Sequence, residues 1–131
     1  MAGKVEDRRK ALRESLIAHA QRRIAADGLS AVRARNLAQD AGCAVGAIYN
    51  VFGDLTDLVL AVNARTFENL GVAVSDALSD APSDAVEQLV IMSQAYQHFA
   101  AEHHNLWRRC SMWTAPPAKP RLIGICAIWA S

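Results

Sequence analysis

The segment 33–52, RARNLAQDAGCAVGAIYNVF, offers hydrogen-bond donors and small residues rather than a nucleophile. Arg33 and Arg35 carry guanidinium groups, which clamp phosphates with two parallel N–H donors. The Asn50 amide matches the adjacent donor and acceptor on an adenine edge. Ala44, Val45, Gly46 and Ala47 are small enough for a backbone to approach DNA closely, and Val45 or Ala47 suits contact with a thymine methyl. Each has a plainer alternative: solvated charge for the arginines, an exposed amide for Asn50, a core position for Val45. Both arginines stand where a helix is expected to begin, and the helix dipole disfavours cations there. An external anion would relieve that misfit.

Positioning these groups requires two short helices and a turn. Leu37 and Ala38 supply a small apolar face for the first, and Ala41-Gly42 closes it, because glycine adopts positive φ without a Cβ clash. Val45, Ile48 and Phe52 recur at +3 and +4, so the second helix also has an apolar face. The opposite face presents Gly46, Ala47, Tyr49 and Asn50. Two short helices around a glycine turn form a helix-turn-helix, whose second helix can lie in the DNA major groove.

Upstream, Leu12, Leu16, Ala20 and Ile24 mark a helix over residues 8–27, ended by Asp27-Gly28. Downstream, Asp54 or Thr56 is expected to cap a long amphipathic helix running through Leu58, Val59, Val62, Phe67 and Leu70 towards Leu78. After the break at residues 79–83, Asp84 and Glu87 resemble a capping box. The helix that follows is predicted to reach about Arg109, with Ala85, Leu89, Met92, Tyr96 and Phe99 along one stripe. No strand alternation or internal repeat is evident, so the chain reads as all-α.

The 131 residues are about one domain in length, and 52% hydrophobic with 21% charged residues is a globular composition. Charge is unevenly distributed. Residues 1–50 carry nine Lys/Arg against five Asp/Glu, whereas residues 51–106 carry one Arg against eight acids. A basic block beside an acidic body suits a surface that meets nucleic acid next to one that does not. No apolar run reaches the roughly 18–20 residues of a membrane span, and the charged N-terminus lacks a signal-peptide core. A cytoplasmic location is the expectation.

The ordered set Asp27-Gly28, Leu37-Ala38, Ala41-Gly42, Gly46, Ile48-Tyr49, Phe52 and Leu58 resembles the tetracycline-repressor (TetR) family of bacterial transcriptional regulators. The resemblance covers about residues 8–62 and continues more weakly to Arg109. It implies an all-α chain: an N-terminal three-helix helix-turn-helix domain over residues 8–62, joined by a long helix to a partial helical ligand-binding and dimerisation domain over 63–109. It implies a repressor that reads a palindromic operator in double-stranded DNA, acts as a homodimer and is released by a small-molecule inducer. By resemblance, the Tyr49 ring packs over the turn while its hydroxyl donates to a phosphate. Arg33, Arg35, Tyr49 and Asn50 would carry most of the contacts. Two departures stand out. Leu55 occupies a position where the family often has a phosphate-contacting Lys. Residues 110–131 turn into a proline-rich, apolar segment without pattern, which is the expectation for a truncated or frame-shifted product. Rival readings are a remnant without operator binding and a helical protein-interaction module.

The remaining reactive groups point away from catalysis. Cys43, Cys110 and Cys126 lack metal-ligand spacing, and Cys43 reads as a small buried spacer in the turn. His98, Glu102, His103 and His104 invite a metal, but the two adjacent histidines diverge around a helix and no HExxH order exists. Met92, Tyr96 and Phe99 are candidate linings of a ligand pocket, with plain core as the alternative. Nothing arranges a nucleophile, a base and an orienting group, so neither enzymatic activity nor a cofactor is expected.

Overall fold

The computed structural model describes residues 2–111. It is all-helical over that span: α1 (Ala2–Asp27), a single 3-10 turn (Leu29–Ala31), α2 (Ala34–Ala41), α3 (Val45–Val51), α4 (Leu55–Leu78), α5 (Ala85–Glu102) and α6 (His104–Ser111). Among the described residues, no single helix is long and apolar enough to cross a membrane. The proline-rich segment beyond Ser111 lies outside the described residues.

Helix α1 starts earlier than the predicted residue 8. Residues 2–11 are all exposed, so no apolar spacing marks them. Ala, Lys, Glu and Arg are good helix formers that need no buried face to extend an existing helix. From Leu16 onward the pattern takes effect, and Leu16, Ile17, Ala20 and Ile24 are buried. The Gly28 amide then donates to the Ile24 carbonyl at 2.9 Å, with φ at 80°.

The α2 ending is a Schellman motif. Gly42 sits in the left-handed region (φ 67°, ψ 36°). Its N–H donates to Gln39 O at 3.3 Å, and the Cys43 N–H reaches back to Ala38 O at 3.0 Å. These bonds satisfy carbonyls that the last turn would otherwise leave unpaired.

Helix α4 is capped by the Asp54 carboxylate, which accepts from the Asp57 N–H at 2.9 Å. It buries Leu58, Val59, Val62, Asn63 and Thr66. Thr66 returns its hydroxyl to Val62 O at 2.9 Å, which satisfies a polar group that burial would otherwise penalise. Helix α5 begins likewise, with the Asp84 carboxylate accepting from the Glu87 N–H at 3.0 Å.

Two sequence expectations fail beyond this point. The last helix does not run straight to Arg109. It ends at His103 (φ −111°, ψ 42°), and α6 begins at His104. The bend carries Leu106 into the core and sets Trp107 edge-on to Tyr96, with ring centroids 4.9 Å apart. With neither glycine nor proline at the bend, nothing local announces it.

The stripe on α5 is also rotated from the predicted one. Phe99 is buried and Tyr96 half-buried, but Leu89 is 62% and Met92 40% exposed. The half-buried residues are Gln88, Ile91, Ala95, Tyr96 and Ala100. Val86, Leu89, Val90 and Met92 make the outer face apolar too, so periodicity could not select the inward one.

One core joins nearly all the helices: Leu16, Ile17, Ala20 and Ile24 from α1, Leu37 and Ala38 from α2, Ile48 and Phe52 around α3, Leu58 and Val62 from α4, and Leu106 from α6. A boundary after residue 62 therefore falls inside α4, and the later segment contributes Leu106 to the same core. Asn105 adds a polar tie, its Nδ2 donating to Ala25 O at 2.9 Å.

Candidate nucleic-acid interface

Helix α3 is anchored from one side. Ile48 is fully buried and Phe52 nearly so, and Val51 packs against the same core. The Phe52 N–H closes the helix by donating to Ile48 O at 2.8 Å. At its start, Ala44 is the N-cap without a side-chain bond, and the Ala47 N–H donates to Ala44 O at 3.0 Å.

The outward side carries most of the predicted contact residues. Tyr49 is 47% exposed and Val45 41%, and Ala44, Gly46 and Asn50 are exposed beside them. Ala47 is half-buried. Val45 therefore does not continue the apolar face of Ile48 and Phe52, as its spacing suggested. It stands one turn before Tyr49 on the open side. Exposed Tyr and Val on so short a helix are apolar surface with hydrogen-bonding neighbours, free for a partner.

Arg33 and Arg35 lie at the start of the neighbouring helix. Arg33 is the extended N-cap residue of α2 (φ −128°, ψ 138°), with no side-chain capping bond. Both side chains are exposed and neither forms an ion pair among the described residues. Two cations at a helix N-terminus without a carboxylate are electrostatically costly unless an anion arrives. Leu55, by contrast, is half-buried against the core. Its side chain serves packing, and no cation takes its place there.

Other charges are used internally, which sequence inspection did not reveal. Arg23 grips Asp40 with two bonds, Nε–Oδ2 at 2.5 Å and Nη2–Oδ1 at 2.9 Å, tying α1 to α2. That hydrogen bond to Arg23 holds the Asp40 carboxyl below its usual range, and the same bond raises Arg23. Glu14 pairs with Arg65 across α1 and α4. Arg9 donates from Nη2 to the Asn50 carbonyl at 3.0 Å, and the Arg13 guanidinium lies 5.3 Å from the centre of the Phe52 ring. These partners are far apart in sequence, and only the fold brings them together.

The three residues considered for a ligand pocket do not face one space. Phe99 is buried beside His103, with ring centroids 4.5 Å apart, Tyr96 packs on Trp107, and Met92 points outward. An open apolar hollow lies nearer the start of α5, lined by Pro82, Val86, Glu87, Val90 and Ile91. Cys43 is half-buried in the turn and is a free thiol. Glu102 stands 3.6 Å from His98 and 3.9 Å from His103 on the surface. No group of three or more potential ligands among the described residues is arranged to hold a metal ion.

No protein-family model matches this chain, and no curated protein matches it.

Proposed function

We propose that residues 8–62 form a TetR-type helix-turn-helix domain and that the chain is a sequence-specific DNA-binding transcriptional regulator acting as a repressor. The observation that carries this reading is the two-faced α3: Ile48 and Phe52 hold it to the core while Val45, Gly46, Tyr49 and Asn50 stay open. A helix held this way can enter the major groove without losing its own packing. Tyr49 donates its hydroxyl to a phosphate, Asn50 reads a base edge, and Ala44, Val45, Gly46 and Ala47 permit close approach. Arg33 and Arg35 hold the adjoining backbone. A homodimer would set two such helices about 34–36 Å apart on a palindromic operator. A small-molecule inducer bound among the later helices would change that spacing. No enzymatic role is proposed.

The test is selection from a random 20-base-pair duplex library, followed by titration of the selected duplex at rising salt. Affinity is expected to fall log-linearly with salt, with a slope of about −0.9 for each phosphate neutralised. Arg33→Ala and Arg35→Ala should each shallow the slope by about one, while Asn50→Ala relaxes sequence preference. Failure to enrich any duplex would defeat the reading. It would then favour the second one, a helical protein-interaction module, which the exposed Val86, Leu89 and Val90 of α5 support.

A further inference from the structure

The α1 helix carries two arginines one turn apart, and both reach the C-terminal end of α3 and its capping residue. Arg9 donates to the backbone carbonyl of Asn50 at 3.0 Å. Arg13 places its guanidinium 5.3 Å from the centre of the Phe52 ring. These contacts fall where a short helix is weakest. The last carbonyls of any α-helix lack intrahelical donors, and the C-terminal end of the dipole favours a cation. Helix α3 is only seven residues long and has no side-chain cap at its start. It has little cooperativity of its own to hold its final turn.

We infer that Arg9 and Arg13 are positioning residues that brace the C-terminal end of α3 from α1, setting the angle at which Tyr49 and Asn50 are presented. The inference rests on the reading of α3 as a DNA-recognition helix. It assigns these two cations an intramolecular task, distinct from the phosphate clamping proposed for Arg33 and Arg35. Asn50 is then held by its backbone carbonyl, fixed to α1, while its side chain stays on the open face. Arg9 lies in the part of α1 where every neighbouring side chain from residue 2 to residue 11 is exposed. The Asn50 carbonyl gives this otherwise solvated stretch an attachment to the rest of the fold. Lys is a poor substitute at position 9, since a rotating ammonium lacks the planar fork that fixes direction.

The experiment compares the full chain with Arg9→Ala and Arg9→Lys by two readouts. The first is amide hydrogen exchange, read at Val51 of α3, at its C-cap Phe52 and at Ile24 of α1. The second is the salt dependence of affinity for the duplex selected by the wild-type chain. A brace predicts about two- to fivefold faster exchange at Val51 and Phe52 in Arg9→Ala, with Ile24 unchanged. It also predicts weaker binding by a similar factor at an unaltered salt slope, with partial recovery in Arg9→Lys. A salt slope shallower by about one, with exchange unchanged, would make Arg9 a phosphate contact and overturn the brace. Unchanged exchange together with unchanged affinity would overturn it as well. A wild-type chain that selects no duplex defeats the DNA reading and the positioning role with it, while faster exchange in Arg9→Ala still upholds the structural brace.

Discussion

The two halves of this molecule solve the problem of burial differently. From Leu16 to Thr66, each helix commits one face to the shared core. Leu16, Ile24, Leu37, Ile48, Leu58, Val62 and Thr66 are its largest fully buried side chains. From Phe67 onward, α4 and α5 pack on each other with mostly half-buried residues, and only Phe99 of α5 is buried. The first region, with Leu106 of α6 added to its core, holds α3 from one side and leaves the other side open. The second leaves Val72, Val86, Leu89, Val90 and Met92 exposed. Surplus apolar surface of that kind is what a partner or a further element would cover. Six of the eight acids of residues 51–106 lie in the second region, whereas the basic block of residues 1–50 precedes it entirely.

Truncation is the most direct way to break this contrast. Ile48→Ala should destabilise the chain by about 2–5 kcal/mol in urea unfolding, because it removes a fully buried side chain and leaves a cavity under α3. Leu89→Ala, although it removes a side chain of the same size and apolarity, should change stability by no more than about 0.5 kcal/mol. Comparable losses at both sites would mean that α5 is covered in solution and that the contrast belongs to the isolated chain alone. Ile48→Val, with a smaller cavity, should cost about 0.5–1.5 kcal/mol and sharpen the comparison.

The next largest effect concerns the turn between α2 and α3. Gly42 has positive φ, and a Cβ built there would meet nothing within 4 Å. Gly42→Ala is therefore penalised by backbone conformation alone, about 1–2 kcal/mol, without a clash. The matching change at Gly71, inside α4 and also in open space, should stabilise by about 0.5–1 kcal/mol. Opposite signs for two Gly→Ala changes, measured by the shift in urea midpoint, would show that the turn and not glycine content controls α3. Equal signs would remove the Schellman ending from the account.

These same positions show why some of the structure was legible beforehand. Ala41-Gly42, Asp27-Gly28, Asp54 and Asp84 act within a few residues of themselves, so local chemistry is enough to place them. The α3 anchor, Ile48 and Phe52, follows from helical spacing. Val45 shares that spacing yet is 41% exposed at the first position of α3. On α5, apolar residues on both sides left the inward face undefined. The bend at His103 and the burial of Leu106 depend on α1, which a local pattern cannot register. Among the charges, Arg33 and Arg35 stood out by their place at a helix start. Arg9, Arg13, Arg23 and Arg65 carry no local signal of their partners, which only the packing of α1, α2, α3 and α4 brings to them.

The smallest expected effect tests whether the better-packed region also depends on its surface charges. Arg23 and Asp40 bind in bidentate geometry, but their side chains are 29% and 28% exposed, so screening by solvent limits what the pair contributes. The direction is still fixed. The Asp40 carboxyl lies below its ordinary value in the folded chain. Its contribution is therefore fully present above the unfolded carboxyl range near pH 4, and it is lost as pH falls through the lower folded value. Wild type and Asp40→Asn should differ most near neutrality and converge as the medium is acidified below about pH 4, when urea midpoints are compared at fixed salt. Because Arg23 is raised from an already high value, it stays charged throughout that window and adds no second transition. A difference that persists undiminished in acid would assign Asp40 a packing role in α2 rather than an electrostatic tie to α1. The link between α1 and α2 would then rest on packing, with Leu37 and Ala38 buried and Ala34 and Ala41 beside them.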